Sequence, residues 1–527
     1  MCAALIAVTL LLYRKALRLW WTFDDAYLLH TAVERRIGQY FTDGSVWRAM
    51  PNRLFTPLLQ TSYDAELSWF GLDPRRFFII HLCELALVAV AIYVALRLWI
   101  PAVAAFCGAF LVLAGAPTAS AATELMVMHY LQAIILTAFA LSLHVLALRG
   151  HRRALNALSA FLYLTAMLAK EIAVPLPAFL LLLSDGGIRQ RVRRTCPHWL
   201  ALAVYVIWRR LMLGEFFGGY GWTITRAEVP ALLLSLPAKL AAAMAGPNLL
   251  AGTLLLVAIA VSIALGHRGL RAFLMVIAGL VLAIVPIIPI SKEMQPRFAL
   301  ASWIVLAAGA AIAASKRRPP TSFILLGTLV ILGLAVQRTA WPVELRRAQR
   351  MSDEGRFYFE EMQPGSFLRS PTVPPAAMGE VQWLKEIYAK RPAGAGWFAD
   401  DWYGCTHDLS AAIVWQYSEG LHQFERRSLA ETSRACRGVR TEPLAAEFHH
   451  RGNALFWRLG PYREGHYRFL LAEGVQAFDV LPEDGFRFGD LAALTLRIRY
   501  QSPAGWVTYS DQLALDFVRH PDLSWKR

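Results

Sequence analysis

The sequence predicts an all-α polytopic membrane protein that ends in an extracytoplasmic domain of α+β or mostly β structure. The 527 residues are 56% hydrophobic and only 17% charged, whereas soluble domains carry about 25% charged residues. The charge deficit lies in the first 340 positions, where several mostly apolar runs of 17 or more residues occur. Such runs are long enough to cross a hydrocarbon layer of about 30 Å. After residue 338 the hydrophobicity drops to that of a soluble domain.

The apolar runs predict about eleven transmembrane helices. The first run is too short to cross alone, and Pro175 and Pro177 predict that the sixth is broken or tilted. Prolines also punctuate the stretch 229–246, which we interpret as interfacial or re-entrant; if it crosses instead, the orientation of everything after it is reversed. The predicted spans are 2–13, 77–98, 101–119, 125–148, 155–170, 172–184, 197–213, 248–266, 270–290, 297–314 and 321–337.

The positive charges predict the orientation. The loops after every second span together hold thirteen Arg and Lys residues against one acid, Asp185. This bias places those loops and the N-terminus in the cytoplasm, and the long loop 21–76 and the tail outside. Basic residues in short loops also argue against nucleic-acid binding, which favours basic tails or amphipathic faces. The Ala-, Leu- and Arg-rich composition favours a bacterial inner membrane.

The chain is expected to contain two domains, a transmembrane domain at 1–337 and a soluble extracytoplasmic domain at 338–527. The tail begins with a helical stretch, and "LTLRIRY" (494–500) with "WVTYSDQLALDF" (506–517) predicts a β-hairpin. Cys405 and Cys436 can pair if the tail is extracytoplasmic, which the sequence leaves open. The acidic, aromatic stretch 397–408 is interpreted as folded core with a polar turn, with acceptor binding as the alternative.

Ionisable residues gather at the predicted outer ends of the spans, although the bilayer makes such groups costly. Each has an ordinary explanation, as a solvated carboxylate, a snorkelling arginine or a hydrogen-bonded histidine. Six separate segments nevertheless place them at one depth, whereas a transporter would place them at the midplane. The set comprises Asp24, Asp25, His81, Glu84, Glu124, His129, Lys170, Glu171, Arg209, Arg210 and Arg297.

Five segments in order resemble the GT-C superfamily of glycosyltransferases that use polyprenyl-phosphate sugars, in particular the protein O-mannosyltransferase-like branch. They are "TFDDAYLL" (22–29), "WFGLDPRRFFIIHLCELAL" (69–87), "ATELMVMHYLQAIIL" (122–136), "LAKEIAVPLPAFLLL" (168–182) and "MQPRFALAS" (294–302). The resemblance covers roughly residues 15–305. Phe298 stands where that branch usually has tyrosine, Arg53 matches its "RPL" motif only loosely, and the tail lacks tetratricopeptide periodicity.

The resemblance implies transfer of a hexosyl or pentosyl group from a polyprenyl-phosphate carrier to an acceptor hydroxyl at the outer membrane face, with inversion. Asp24, the first acid of the motif, is expected to be the general base, with Asp25 as the fallback. The cations expected at the donor phosphate are Lys170, Arg297, Arg209, Arg210 and Arg53. The residues expected to support the site or contact the sugar are Glu124, His129, His81, Glu84 and Glu171.

The expected partners are the lipid-linked donor, a protein or glycan acceptor and membrane lipid, with no nucleic acid. We expect no cofactor and no metal, although Asp24, Asp25 and Glu124 could supply hard oxygen ligands to a divalent ion. Three alternative functions stay open. They are a transporter or flippase of lipid-linked glycans, a non-catalytic membrane scaffold with an external binding domain, and a glycan polymerase or ligase of the O-antigen type.

Overall fold

The computed structural model describes the chain except residues 23, 51–53, 184, 186, 217–228, 267–269, 374, 393, 429–435, 437–438, 452–453 and 488–492. The chain divides into two compact units. The first unit comprises Met1–Trp21 and Thr31–Gln349, and the second comprises Thr22–His30 and Arg350–Arg527.

Helices dominate the first unit, and the second combines helices with strands. The helices are α1 Cys2–Tyr13, α2 Asp25–Glu34, α3 Ile37–Thr42, α4 Gly44–Ala49, α5 Pro57–Phe70, α6 Pro74–Leu96, α7 Ala102–Leu113, α8 Ala116–Ala121, α9 Met128–Gly150, α10 Arg153–Ala169, α11 Leu176–Leu182, α12 Ile188–Leu213, α13 Val229–Ala245, α14 Leu249–Gly266, α15 Leu270–Ile284, α16 Leu300–Ser315, α17 Pro319–Glu360, α18 Pro375–Trp383 and α19 Asp401–Thr406. Short 3₁₀ helices occur at Arg14–Arg18, Leu125–Val127, Glu171–Ala173, Val285–Glu293, Pro296–Ala299 and Ala472–Gly474, and a π-helix occurs at Leu384–Tyr388.

Several helices of the first unit have the length and hydropathy of a membrane span. Four such helices occur in the described part of the chain, at Pro74–Leu96, Leu125–Gly150, Pro296–Ser315 and Pro319–Glu360. Helices α13 and α14 together form a fifth candidate that is bent by 109°. A bent pair of this kind is either a broken span or a re-entrant loop, so the interpretation of 229–246 as an interfacial or re-entrant segment stays a prediction. The predicted count of about eleven spans is not confirmed.

Breaks within the predicted spans explain much of the difference between the eleven predicted spans and the four or five candidates in the described part of the chain. The sixth predicted span is broken, as expected from Pro175 and Pro177. A 3₁₀ turn at Glu171–Ala173 precedes these prolines, and α11 after the turn has only seven residues. The break between α7 and α8 was not predicted. It lies at Gly115, where a Cβ atom would stand 2.4 Å from Trp303 Nε1. Glycine therefore permits the close approach of α16 that accompanies this break.

The second unit contains the thirteen described strands of the chain. They are β1 Ser366–Arg369, β2 Gly396–Phe398, β3 Ile413–Ser418, β4 Gln423–Arg427, β5 Ala445–Arg451, β6 Ala454–Gly460, β7 His466–Leu471, β8 Gln476–Val480, β9 Glu483–Arg487, β10 Ala493–Gln501, β11 Val507–Tyr509, β12 Leu513–Asp516 and β13 Asp522–Lys526. One sheet has the order β2-β1-β3-β4, in which β1 pairs in parallel with β2 and β3.

The other two sheets pack around a shared apolar core. Their orders are β11-β10-β7-β8, with β12 also paired to β10, and β13-β5-β6-β9. Phe448 and Trp457 from one sheet and Phe469 and Ile498 from the other are buried together. The predicted late hairpin is confirmed, since β10 and β11 are antiparallel.

The chain passes from the first unit to the second within helix α17. Helix α17 runs for 42 residues through position 338, and the division into units falls between Gln349 and Arg350. The pairing of Cys405 with Cys436, which the sequence left open, is present as a disulfide. In the stretch 397–408, Phe398 and Asp400 are buried, which supports its interpretation as folded core.

Candidate functional site

The turn between α10 and α11 directs a lysine into the interior of the first unit. Lys170 has an extended backbone at the end of α10, and the hydroxyl of Tyr163 braces the turn by donating to the Val174 carbonyl at 2.9 Å. The lysine is only 5% exposed. Its Nζ lies 3.3 Å from Glu171 Oε1 and 5.3 Å from the centre of the Tyr130 ring. One carboxylate contact leaves an ammonium group with three donors room for a further anion.

Helix α12 adds a second cation to the same carboxylate. Arg209 is buried, and its Nη1 lies 3.9 Å from Glu171 Oε2. Arg209 also donates to the Tyr205 hydroxyl at 3.1 Å and to the Phe216 carbonyl at 3.3 Å. We call Lys170, Glu171 and Arg209 the buried charge cluster. Two cations share one carboxylate in this cluster, and Glu215 adds a further negative charge that acts on Arg209.

A second buried ion pair lies in the same unit. Arg297, on the 3₁₀ turn before α16, pairs with Glu124, which precedes the 3₁₀ turn before α9. Both side chains are buried, and the guanidinium carbon of Arg297 lies 5.0 Å from the centre of the Phe298 ring. The structure therefore pairs two of the predicted site residues that lie far apart in the sequence.

An apolar cavity of about 460 Å³ lies in the first unit. Its lining includes Ile172 and Ala173, which directly follow the Lys170–Glu171 pair in the sequence, and Ala301 of α16. The lining of α16 extends to Ile312, which is about 17 Å along the helix axis at 1.5 Å per residue. Helices α6, α9, α11 and α15 complete the walls. The cavity is thus an elongated apolar slot, and the turn that carries Lys170 and Glu171 leads directly into its wall.

The two aspartates of the opening motif belong to the other unit. Asp24 is exposed, and its carbonyl accepts from Leu28 N at the start of α2. Asp25 is fully buried, and its Oδ2 accepts from Thr22 N at 2.7 Å. The two neighbouring carboxylates therefore have different environments, and only Asp24 is presented to solvent.

Contacts with the tail explain why this segment groups with the second unit. His30 of α2 stacks on Trp383 of α18, with ring centres 3.8 Å apart, and His30 Nδ1 contacts Glu380 Oε2. Sequence reasoning missed His30, Glu380 and Trp383 because they lie about 350 positions apart and no local pattern marks them. The buried charge cluster and the aspartates thus belong to different units.

The remaining predicted residues also lie in the first unit, and His129 is close enough to the buried charge cluster to interact electrostatically with Lys170 and Glu171. His81 Nε2 lies 2.8 Å from the Ala121 carbonyl, which joins α6 to α8. Glu84 accepts from Gln132 Nε2 at 3.0 Å, which joins α6 to α9. His129 is buried with its Nδ1 against the Met126 carbonyl. Arg210 is exposed and donates to the Gly214 carbonyl, away from the cluster.

Arg53 lies outside the described residues. A buried acid that the sequence did not single out is Glu66 on α5, only 3% exposed. Burial, together with the negative charge of Glu84, raises the pKa of Glu66 to about 9. Among the residues that the structure describes, no group of three or more His, Cys, Asp or Glu side chains is placed to hold a metal ion.

The fold and the site together define a mostly helical protein with helices of membrane-spanning length, buried cations beside an apolar slot and a β-rich tail. No known protein family and no curated protein matches the sequence. Comparison with solved structures found ArnT from Cupriavidus metallidurans bound to undecaprenyl phosphate, at 12% identity and a TM-score of 0.43. That match covers 79% of this chain and 93% of ArnT.

A second similar structure is the archaeal oligosaccharyltransferase AglB from Archaeoglobus fulgidus, in complex with an inhibitory peptide and a dolichol-phosphate. It is 11% identical with a TM-score of 0.40, and the match covers 93% of this chain and 74% of AglB. Both are membrane glycosyltransferases of the GT-C superfamily that the sequence motifs resemble, and the O-mannosyltransferase branch is not confirmed. With TM-scores below 0.5, these likenesses carry no argument about the chemistry of this chain.

Proposed function

We propose that this protein is a membrane glycosyltransferase that moves a sugar from a polyprenyl-phosphate carrier to an acceptor hydroxyl at the outer membrane face. The observation that carries the proposal is that the wall of the apolar slot includes Ile172 and Ala173, directly after Lys170 and Glu171 of the buried charge cluster. A polyprenyl phosphate has the matching shape, since it joins a long apolar chain to an anionic head.

The cluster suits a phosphate because it presents two buried cations, Lys170 and Arg209. Lys170 has one carboxylate contact, with Glu171, so its remaining donors are suited to phosphate oxygens. Charge-assisted hydrogen bonds from lysine and arginine are among the stronger contacts to phosphate oxygens. Arg297 is already paired with Glu124, and we assign it to the shape and charge balance of the site in the absence of donor.

The reaction we propose is a single displacement. The acceptor oxygen forms a bond to the anomeric carbon while the bond from that carbon to the phosphate oxygen breaks. The bonding electrons leave with the polyprenyl phosphate, and the acceptor proton passes to an aspartate. Attack from the face opposite the leaving group inverts the anomeric centre. Fixed cations at the leaving phosphate stabilise the charge that develops there.

Asp24 is our candidate for the proton acceptor. It is exposed at the start of α2, whereas Asp25 is buried and already accepts from Thr22 N. An exposed carboxylate can meet an acceptor hydroxyl, and a buried one that caps its own turn suits a positioning role. The disulfide Cys405–Cys436 supports an extracytoplasmic tail, because disulfides persist in oxidising compartments.

The test compares four proteins in membranes supplied with a panel of radiolabelled polyprenyl-phosphate sugars. They are the wild type, Asp24→Asn, Asp25→Asn and the control Asp73→Asn, which makes the same chemical change in the same predicted loop. We expect Asp24→Asn to lower transfer by about 10²- to 10⁴-fold, the typical contribution of general base catalysis. Asp73→Asn should retain transfer, and thermal unfolding should confirm that all four proteins fold.

Other outcomes would contradict parts of the proposal. Full transfer by Asp24→Asn with loss in Asp25→Asn would move the base to Asp25. An equal loss in Asp73→Asn would show that the assay reports loop integrity and would remove the support for Asp24. If the wild type transfers no sugar from any donor but moves lipid-linked glycan across the bilayer, the protein is a transporter.

A further inference from the structure

A small basic pocket lies in the first unit, apart from the residues of the proposed donor site. Its volume is about 240 Å³. One wall is the 3₁₀ helix that follows α1, and the other is the part of α17 where apolar sequence gives way to polar sequence. The basic pocket is lined by Lys15, Arg18, Trp341, Pro342, Leu345, Arg346 and Gln349.

The spacing of these residues puts them on single faces of two helices. Positions 342, 345, 346 and 349 follow the i, i+3, i+4, i+7 pattern of one α-helical face. Lys15 and Arg18 are three apart, and residues at that spacing eclipse one another in a 3₁₀ helix. The pocket is therefore formed by two regular faces that meet, and each contributes cations.

The cations of the basic pocket have no carboxylate partner among the residues that the structure describes. No carboxylate lines the pocket, and within the described ranges Lys15, Arg18 and Arg346 form no ion pair with Asp or Glu. By contrast, the neighbouring Arg347 lies 3.9 Å from Glu344. Three like charges around one small volume repel each other, so their convergence favours an anion between them.

The other side of the pocket is apolar and fixed in place. Trp341 packs edge-on against the buried ring of Tyr13, with centres 5.0 Å apart, and Tyr13 donates to the Leu113 carbonyl at 2.6 Å. Leu345 is 5% exposed and Pro342 stands one turn before it. Tryptophan next to cations is typical of the boundary between membrane and water. A ligand here would need an anionic part and an adjoining apolar part.

We propose that the basic pocket binds the headgroup phosphate of an anionic membrane phospholipid. The lipid phosphate would lie among Lys15, Arg18 and Arg346, with the glycerol and upper acyl chains against Trp341 and Leu345. The predicted orientation places both walls at the outer face, where the positive-inside bias gives no reason for clustered cations. This inference stands independently of the proposed sugar transfer, since the two sites share no residue.

The test uses the purified full-length protein in a neutral detergent and counts bound ligands by native mass spectrometry. The probes are dioleoylphosphatidylglycerol, dioleoylphosphatidylcholine and inorganic phosphate. The pocket variant combines Lys15→Gln, Arg18→Gln and Arg346→Gln. The control variant combines Lys390→Gln, Arg451→Gln and Arg463→Gln, three exposed residues of the second unit, and removes the same amount of positive charge.

We expect phosphatidylglycerol to bind the wild type and the control variant with affinities within twofold of each other. The pocket variant should bind it at least tenfold more weakly, and phosphatidylcholine should bind every protein weakly. Equal weakening in both variants would overturn the proposal, because it would show non-specific attraction to net charge. Inorganic phosphate that binds as tightly as phosphatidylglycerol would overturn the assignment to a lipid. Thermal unfolding of both variants controls for folding.

Discussion

The two units each bury an ionic group, and the groups differ in how completely they are satisfied. In the second unit, Asp400 accepts from Tyr509 Oη at 2.9 Å and from Trp402 N at 3.0 Å, and Arg499 Nε lies 3.0 Å from its other oxygen. In the first unit, Lys170 and Arg209 share the single carboxylate of Glu171.

This difference distinguishes a group that stabilises the fold from a group that is suited to ligand binding. A buried carboxylate with both oxygens occupied has no capacity for a ligand and holds its surroundings in one arrangement. Two cations that share one carboxylate are costly to bury, and such groups are common at functional sites. Asp400 therefore has a structural role in the tail, whereas the buried charge cluster supports the site that we propose.

Removing the carboxylate of Asp400, which has contacts on both oxygens, should have the largest effect on stability. Asp400→Ala leaves the Arg499 guanidinium, whose side chain is only 13% exposed, without its carboxylate, and loss of one partner of a buried pair typically costs about 3–5 kcal/mol. Chemical denaturation followed by far-UV circular dichroism in the strand region should show the loss. The matched variant Asp484→Ala changes an acid on β9 that is not part of this group. Equal destabilisation by both changes would contradict the comparison.

Removing the charge of Lys170 from the buried charge cluster should affect activity more than stability. Lys170→Met keeps the length of the side chain but removes the charge, and loss of one stabilising contact in a transition state typically lowers turnover by about 10²- to 10³-fold. The control Lys390→Met makes the same change at an exposed lysine of the second unit. Transfer assays with equal amounts of folded protein should separate the two variants. A large fall in melting temperature for Lys170→Met without a specific loss of transfer would show a structural role.

A smaller effect is expected from Glu66, a buried acid that keeps its proton. Because burial raises the pKa of Glu66 to about 9, the folded state holds a proton that the unfolded state releases above its ordinary pKa. The resulting stability is complete below that ordinary pKa and is lost as the pH rises toward 9. The melting temperature should therefore fall by several degrees between pH 6 and pH 9. In Glu66→Gln this part of the fall in melting temperature should disappear. If the melting temperature of Glu66→Gln depends on pH as strongly as that of the wild type, Glu66 is not protonated in the folded state.

Composition and local pattern were sufficient for much of the fold. Apolar runs indicated the long helices, Pro175 and Pro177 indicated the break before α11, and period-two alternation indicated the β10–β11 hairpin. The break at Gly115 could not be predicted, because it depends on Trp303 of a distant helix. The sequence also could not assign residues 22–30 to the tail, since that grouping rests on Trp383 and Glu380.

The candidate site shows the same division between local and tertiary information. The order of the motifs selected Lys170, Glu171 and Arg209, which the structure brings together. It could not separate Arg209 from Arg210, because adjacent helical residues point about 100° apart and the packed face decides which is buried. The pairing of Arg297 with Glu124 joins two segments whose contact is invisible in a linear pattern.

The apolar slot also indicates which concentration of the donor would control the rate of sugar transfer. Under the proposed function, a donor whose apolar chain enters the 460 Å³ cavity would reach the protein by diffusing within the plane of the membrane. Its effective concentration is then its mole fraction among the surrounding lipids, and the volume of the aqueous sample has no influence. Dilution of the bilayer with inert lipid should slow the enzyme, while dilution of the whole suspension with buffer should leave the rate per molecule unchanged.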